Sequence, residues 1–174
     1  MVLRHLTLVL AAVMLAGCFS FGLQDAKLEP IPRNAERERT VNAGEAIRAI
    51  NGFRISRGRA PLRMDPKLNA VAASTAREMA RRRQIKTEMH TTAGLQRRLD
   101  AANYPASAAA ENLAGGFPTL DQAIEGWKGS RGHRRNLLNR NVTHAGIGLV
   151  VTDSGHRSYW VLLFARPETP GGPA

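Results

Sequence analysis

Five histidines, one isolated glutamate, one serine and one cysteine are the residues of this 174-residue chain whose chemistry and setting invite a functional reading. His5 lies in an apolar leader and His156 in a turn-forming stretch, which leaves His90, His133 and His144. An imidazole can serve as a general base or, when neutral, as a metal ligand. Glu111 stands alone among small apolar residues, in Ala109-Ala110-Glu111-Asn112-Leu113-Ala114. A carboxylate buried there needs a partner. Spacing alone assigns none of these residues a reaction: His90 and His133 fit no metal-binding motif, and no HExxH is present. Ser130 lacks the GxSxG context of a nucleophile elbow, and Gly115-Gly116 is too little for a phosphate loop. Each histidine by itself therefore reads first as a hydrogen-bonded structural group, and a His/Glu cluster is as far as the residues lead.

The elements that must position them follow from caps and apolar spacing. Asn42 as N-cap, with Glu45 at the capping-box position and Ile47, Ile50 and Phe53 as an apolar stripe, predicts a helix that stops near Gly58. Asp65-Pro66 opens a second helix, with proline at the first helical position and Leu68, Val71, Ala72, Thr75 and Met79 on its buried face. Its basic end, Arg77, Arg81, Arg82, Arg83 and Lys86, suits the helix dipole and reads as solvated surface. A short helix over 93–102 buries Leu95 and Leu99 and ends at Asn103 and Pro105. Thr119 with Gln122 caps a fourth, through Ala123, Ile124 and Trp127. Two β-rich runs, 143–152 and 157–166, flank Asp153-Ser154-Gly155-His156 and predict a hairpin. Three or four helices followed by a hairpin give an α+β domain.

Composition sets the class. Apolar residues at 43% and charged residues at 22% exclude wholesale disorder and a multi-pass membrane protein, and the length suits one domain. A single cysteine excludes internal disulfides and multi-cysteine metal sites. Cys18 follows Arg4, His5, the apolar run 6–15 and Ala16-Gly17, the build of a signal peptide too short to span a bilayer. Leu15-Ala16-Gly17-Cys18 resembles the bacterial lipoprotein processing site, which implies removal of residues 1–17 and lipidation of Cys18 as the first mature residue. Lipidation also disposes of a free thiol in an oxidising compartment. Residues 18–42, polar and carrying Pro30 and Pro32, then form a tether, 43–167 the folded domain and 168–174 a tail. The net charge of +11 falls only to +10 with the leader gone, so the basicity is exported and faces anionic envelope components rather than nucleic acid.

The order of the motifs resembles a known family. Ile50-Asn51-x-x-Arg54, Pro61-Leu62 with Asp65-x-x-Leu68, the helical segment 72–79, His90, Glu111-Asn112-Leu113-Ala114, Trp127-x-x-Ser130-x-x-His133-Arg134-x-Asn136, Gly146-Ile147-Gly148 and a closing Tyr159-Trp160 strand are together similar to the CAP superfamily. This group of cysteine-rich secretory, antigen-five and pathogenesis-related proteins is also called SCP-like. The resemblance implies an α–β–α sandwich, with a small antiparallel sheet between helical layers and an open central cavity. In the eukaryotic family pattern two His and two Glu gather there, and some members bind a divalent metal. His90, Glu111 and His133 match three of those positions, and Ser130 stands at the fourth, as in the bacterial branch. Zn²⁺ held by His90 and His133 with Glu111 is thus one expectation, though the fold requires no cofactor.

Three functions compete at this stage. The first is a monomeric, lipid-anchored binding module, periplasmic or on the outer surface, that presents the cavity to an envelope lipid, glycan or protein. The second is a hydrolase, using either a zinc-bound water with Glu111 as base or Ser130 activated by His133 and oriented by Glu111. The third is a structural lipoprotein contacting its neighbours through the arginines of 77–86 and 131–140. Trp127 is expected in the core, Asn112 as a hydrogen-bonding loop anchor and His144 as a support.

Overall fold

The computed structural model describes residues 41–85, 91–152 and 157–168. Its elements in chain order are α1 (Ala43–Ile55), β1 (Arg63–Met64), α2 (Pro66–Arg82), α3 (Thr92–Ala101), β2 (Ala106–Gly115), α4 (Leu120–Gly129), α5 (Arg131–Leu137), β3 (His144–Val151) and β4 (Ser158–Pro167). The caps expected from sequence operate as hydrogen bonds. Asn42 Oδ1 accepts from the Glu45 amide at 3.1 Å, and Asp65 Oδ1 accepts from Lys67 and Leu68 at 2.8 and 3.1 Å. Thr119 Oγ1 accepts from Gln122 at 3.3 Å. Asp65 also joins two elements, since its Oδ2 accepts from the buried Tyr104 hydroxyl at 2.9 Å, just beyond α3. Burial and the bond to a carboxylate together hold the phenol well above its ordinary pKa. Asn103 ends α3 at φ 49°, a left-handed conformation that asparagine tolerates.

The four strands lie in the order β1-β3-β4-β2. β4 pairs antiparallel with both β3 and β2, and the two-residue β1 pairs parallel with β3. Every pairing thus involves β3 or β4. Alternate residues of the sheet feed two separate cores, which makes the three layers expected. Ile147, Trp160, Leu162 and Phe164 pack with α1, α4 and Leu137 of α5 on one face. Leu113, Val150, Val161 and Leu163 pack with α2 and α3 on the other. Trp127 is core, as anticipated, at 1% exposure.

Two glycines decide how α2 sits. A β-carbon on Gly146 would overlap the backbone of Leu68 and Asn69, and one on Gly148 would overlap that of Ala72 and Ala73. Helix and strand therefore touch backbone to backbone, and Asn69 Oδ1 accepts from the Ile147 amide at 2.9 Å across that contact. Asn51 plays a comparable part beside β1. Its amide exchanges two bonds with Leu62, accepting at 2.7 Å and donating at 2.9 Å, so that it acts as a one-residue strand.

Three readings change. Residues 106–115 form a strand rather than a loop, so Asn112 is an anchor within β2. Its short alanine-rich sequence has neither the β-branched content nor the alternation by which a strand is recognised. Residues 131–137 form a helix of their own, too short and too arginine-rich to show an apolar period. β1 is two residues long and exists through its pairing with His144 and Ala145. The hairpin is present, and its turn, 153–156, lies outside the described residues.

Candidate functional site

Glu111 projects from β2 towards α3, where Arg98 Nη2 donates to its Oε2 at 2.7 Å. The carboxylate side chain is 6% exposed and the guanidinium 22%, so this is a largely desolvated ion pair. Arg98 is itself fixed by the Gly94 carbonyl (3.1 Å) and by Thr75 Oγ1 (3.1 Å), whose hydroxyl in turn donates to Val71 O at 2.8 Å. One network therefore runs from α2 through α3 to β2. Burial pushes the Glu111 pKa up, and Arg98 opposes that rise without cancelling it. The second oxygen, Oε1, is buried without a hydrogen-bond partner among the described residues.

On the opposite side, α5 is stapled to β2 by a pair of asparagines. Asn136 Nδ2 donates to the Glu111 carbonyl at 2.9 Å and to Asn112 Oδ1 at 3.0 Å, while Asn112 Nδ2 donates to the His133 carbonyl at 3.1 Å. This brings His133 and Glu111 to the same cleft, of about 350 Å³, walled by α3 and α5 and floored by 109–111 of β2. Burial lowers the His133 pKa, so its imidazole is neutral at pH 7. Arg135 stands exposed on the α5 wall.

Two of the expected site residues thus meet, and others do not. Ser130 serves as the N-cap residue of α5, its side chain makes no capping bond, and among the described residues no hydrogen bond joins it to His133. The Ser130–His133–Glu111 relay is therefore not assembled in this structure. His144 sits at the start of β3, its Nδ1 bonded to Thr143 Oγ1 at 2.9 Å, away from the cleft. His90 and Cys18 lie outside the described residues. Arg98 was not anticipated: it lies on an exposed-looking helix thirteen positions before Glu111, and only the unsatisfied carboxylate hinted that a cation must come from somewhere.

The donor set can be tested against zinc. Among the described residues no group of three His, Cys, Asp or Glu side chains converges as a metal site would require. One oxygen of Glu111 is already spent on a guanidinium, and a dication on the same carboxylate would face that charge at close range. Of the three expected ligands the described residues include only His133 and Glu111, since His90 lies outside them, and no step is routed through a metal.

The ion pair has a measurable consequence. Because the folded state raises the Glu111 pKa above its unfolded value, the folded protein binds the extra proton first, and stability from this group is lost as pH rises through the folded pKa. Urea unfolding between about pH 4 and 8 of the protein and of Glu111→Gln is expected to show their stability difference moving against the native protein as pH rises. Arg98→Met should widen that window, since it removes the opposing charge. A difference independent of pH would mean that Glu111 titrates alike in both states.

A four-stranded sheet between two helical layers, with a polar cleft where an edge strand meets two helices, defines an α–β–α sandwich built around a cavity. The chain belongs to the CAP, or cysteine-rich secretory protein, family, whose model matches residues 47–164. It is 28% identical over 142 residues to the uncharacterised protein YkwD of Bacillus subtilis, covering 76% of this chain and 54% of YkwD. It is 29% identical over 110 residues to the uncharacterised membrane protein YlbC of the same organism, covering 63% of this chain and 32% of that one. The chain thus spans about half and a third of these relatives. Among solved structures it is similar to an extracellular SCP-domain protein of Bacillus anthracis, with a TM-score of 0.63 and 27% identity over 72% of this chain and 40% of that one. An outer surface protein of Borrelia burgdorferi shares the fold, with a TM-score of 0.64 at 22% identity over 75% of this chain and 99% of that one. Among the described residues no helix is long and apolar enough to cross a membrane.

Proposed function

We propose that this protein is an exported CAP domain, lipid-anchored through Cys18 after loss of residues 1–17, that acts as a monomeric, non-enzymatic binding module for a cell-envelope ligand. The observation that carries this reading is the cleft between α3 and α5. Among its described lining residues the one carboxylate pairs with Arg98, and no serine lines it, so the cleft offers recognition groups rather than an activated nucleophile. Neighbours described as extracellular or as surface proteins support the compartment, and the basic composition suits anionic envelope surfaces. A hydrolase built on Ser130 would need a hydrogen bond to His133 that the described residues do not make.

The full-length chain, expressed in a bacterial host, is expected to carry lipid at Cys18 by intact-mass measurement, and Cys18→Ser to be released from membranes. Incubated with cell-wall fragments, the protein should retain them and leave their masses unchanged, while His133→Ala and Arg135→Glu should retain less. New, shorter fragments would instead establish hydrolysis. Retention that both cleft variants leave intact would place binding elsewhere on the domain.

A further inference from the structure

The floor of the cleft is the outer edge of β2, and part of that edge has nothing bonded to it among the described residues. The direction of each backbone group follows from the ladder. Gly116 donates to Ser158 O at 2.9 Å, and antiparallel pairs bond at alternate positions, so 110, 112 and 114 face β4 and the odd-numbered residues face away. Two of those outward groups are occupied. Glu111 O accepts from Asn136 Nδ2 at 2.9 Å, and Leu113 O accepts from Trp127 Nε1 at 3.4 Å. Ala165, opposite Ala109 in the register, spends its carbonyl on the Thr143 amide at 3.0 Å, which agrees with Ala109 facing away from β4. Among the described residues, nothing bonds the outward N–H and C=O of Ala109 or the N–H of Glu111. Proteins cover or cap such edges unless something pairs with them. Here two side chains cap the edge up to the Glu111 carbonyl and stop where the cleft begins.

We propose that this cleft binds a short, extended, acidic peptide by adding it as a fifth strand to β2, through the free backbone groups of Ala109 and Glu111 and the guanidinium of Arg135. The inference rests on the binding-module reading and narrows it to a ligand class. The capped Glu111 carbonyl ends the template on one side, and the register shift between Ala106 and Ala108 ends it on the other. The footprint is thus a few residues, matched to a cleft at the small end of ligand sites. Main-chain pairing supplies affinity in such complexes and the flanking side chains supply preference. Preference for acid follows from charge: Arg98 and Glu111 neutralise each other, His133 is neutral, and Arg135, which no carboxylate pairs among the described residues, sets the sign. Arg131 and Arg134 on the same helix extend the positive field.

The test uses the full-length chain labelled with ¹⁵N and a pool of acetylated tetrapeptides with Asp or Glu at the second and fourth positions. The pool should shift the amide signals of Ala109 and Glu111 in a saturable way. The same pool N-methylated along its backbone should bind about fivefold more weakly, as expected for losing the one main-chain bond that a peptide N–H donates to Ala109 O. Arg135→Glu should reverse the preference towards a lysine-bearing pool. Ala109→Pro, which removes an outward N–H while leaving the bonds to β4 in place, should abolish the shift at Glu111. Equal binding of the methylated pool, or saturating peptide that leaves Ala109 and Glu111 unshifted, would overturn strand addition. If wall fragments are retained while the peptides leave those two amides unshifted, the binding module stands and this ligand class is wrong; if neither binds, both readings fall.

Discussion

Arg54→Met is expected to cost about 3–5 kcal/mol of stability, since it leaves three carbonyls without their donor and each buried polar group left unsatisfied costs about 1–3 kcal/mol. Arg54 is 1% exposed and pairs with no carboxylate among the described residues. Its guanidinium instead collects three carbonyls, from Ala60 at 2.9 Å, Leu137 at 2.7 Å and Asn139 at 3.1 Å. Burial and the nearby Arg59 both lower its pKa, which marks how little solvent screens the charge. Two of those carbonyls lie at and just beyond the end of α5, where the helix dipole concentrates partial negative charge. Methionine fills most of the volume but leaves all three acceptors without a donor. Arg54→Lys should fall between, because an ammonium restores charge but not the fork that reaches separate carbonyls. Urea denaturation of the three proteins checks this ordering, and a loss under about 1 kcal/mol for Arg54→Met would show that water replaces the guanidinium.

Gly148→Ala is the second large effect. One methyl group there meets the backbone of Ala72 and Ala73, not the end of a movable side chain, so the helix must lift from the sheet to admit it. Overpacking in a core typically costs about 1–3 kcal/mol, and a clash between two backbones belongs at or above the upper end. Gly52→Ala is the contrasting substitution. Gly52 lies within α1, and a β-carbon there meets nothing within 4 Å. The same chemical change should stabilise the protein by about 0.5–1 kcal/mol through helix propensity. Thermal melts of the two variants should therefore move in opposite directions. A neutral Gly148→Ala would mean that α2 is less firmly seated than its contact with β3 implies.

Much of this was legible in the sequence because local chemistry dictated it. Asn42, Asp65-Pro66 and Thr119 are cap residues whose side chains bond within three positions, so no tertiary knowledge is needed to place α1, α2 and α4. The closing hairpin announced itself by two β-rich runs around a turn. β2 did not, because its identity as a strand comes from its long pairing with β4 and not from its alanines. α5 is likewise held by Asn136, by Leu137 and by Arg54 from the other end of the domain. The site divides in the same way. Glu111 stood out as an acid among small residues, and the order of motifs joined it to His133, but the partner that neutralises it comes from a helix surface that reads as solvated. The side chain of Arg98 is a site residue only because α3 packs over β2.

The strand order carries a further consequence, for the time course of folding. Both long ladders are made by β4, which ends at Pro167, and even β1 waits for His144 to supply its partner. A chain emerging from its amino end, whether from a ribosome or through a membrane, can form caps and helical turns early but has no sheet to lay them on. The Arg54 clamp waits too, for carbonyls 83 and 85 residues away. Such long-range closure makes folding late and cooperative rather than progressive. A chain of this topology stays threadable until its last strand arrives, and then the whole sandwich closes at once.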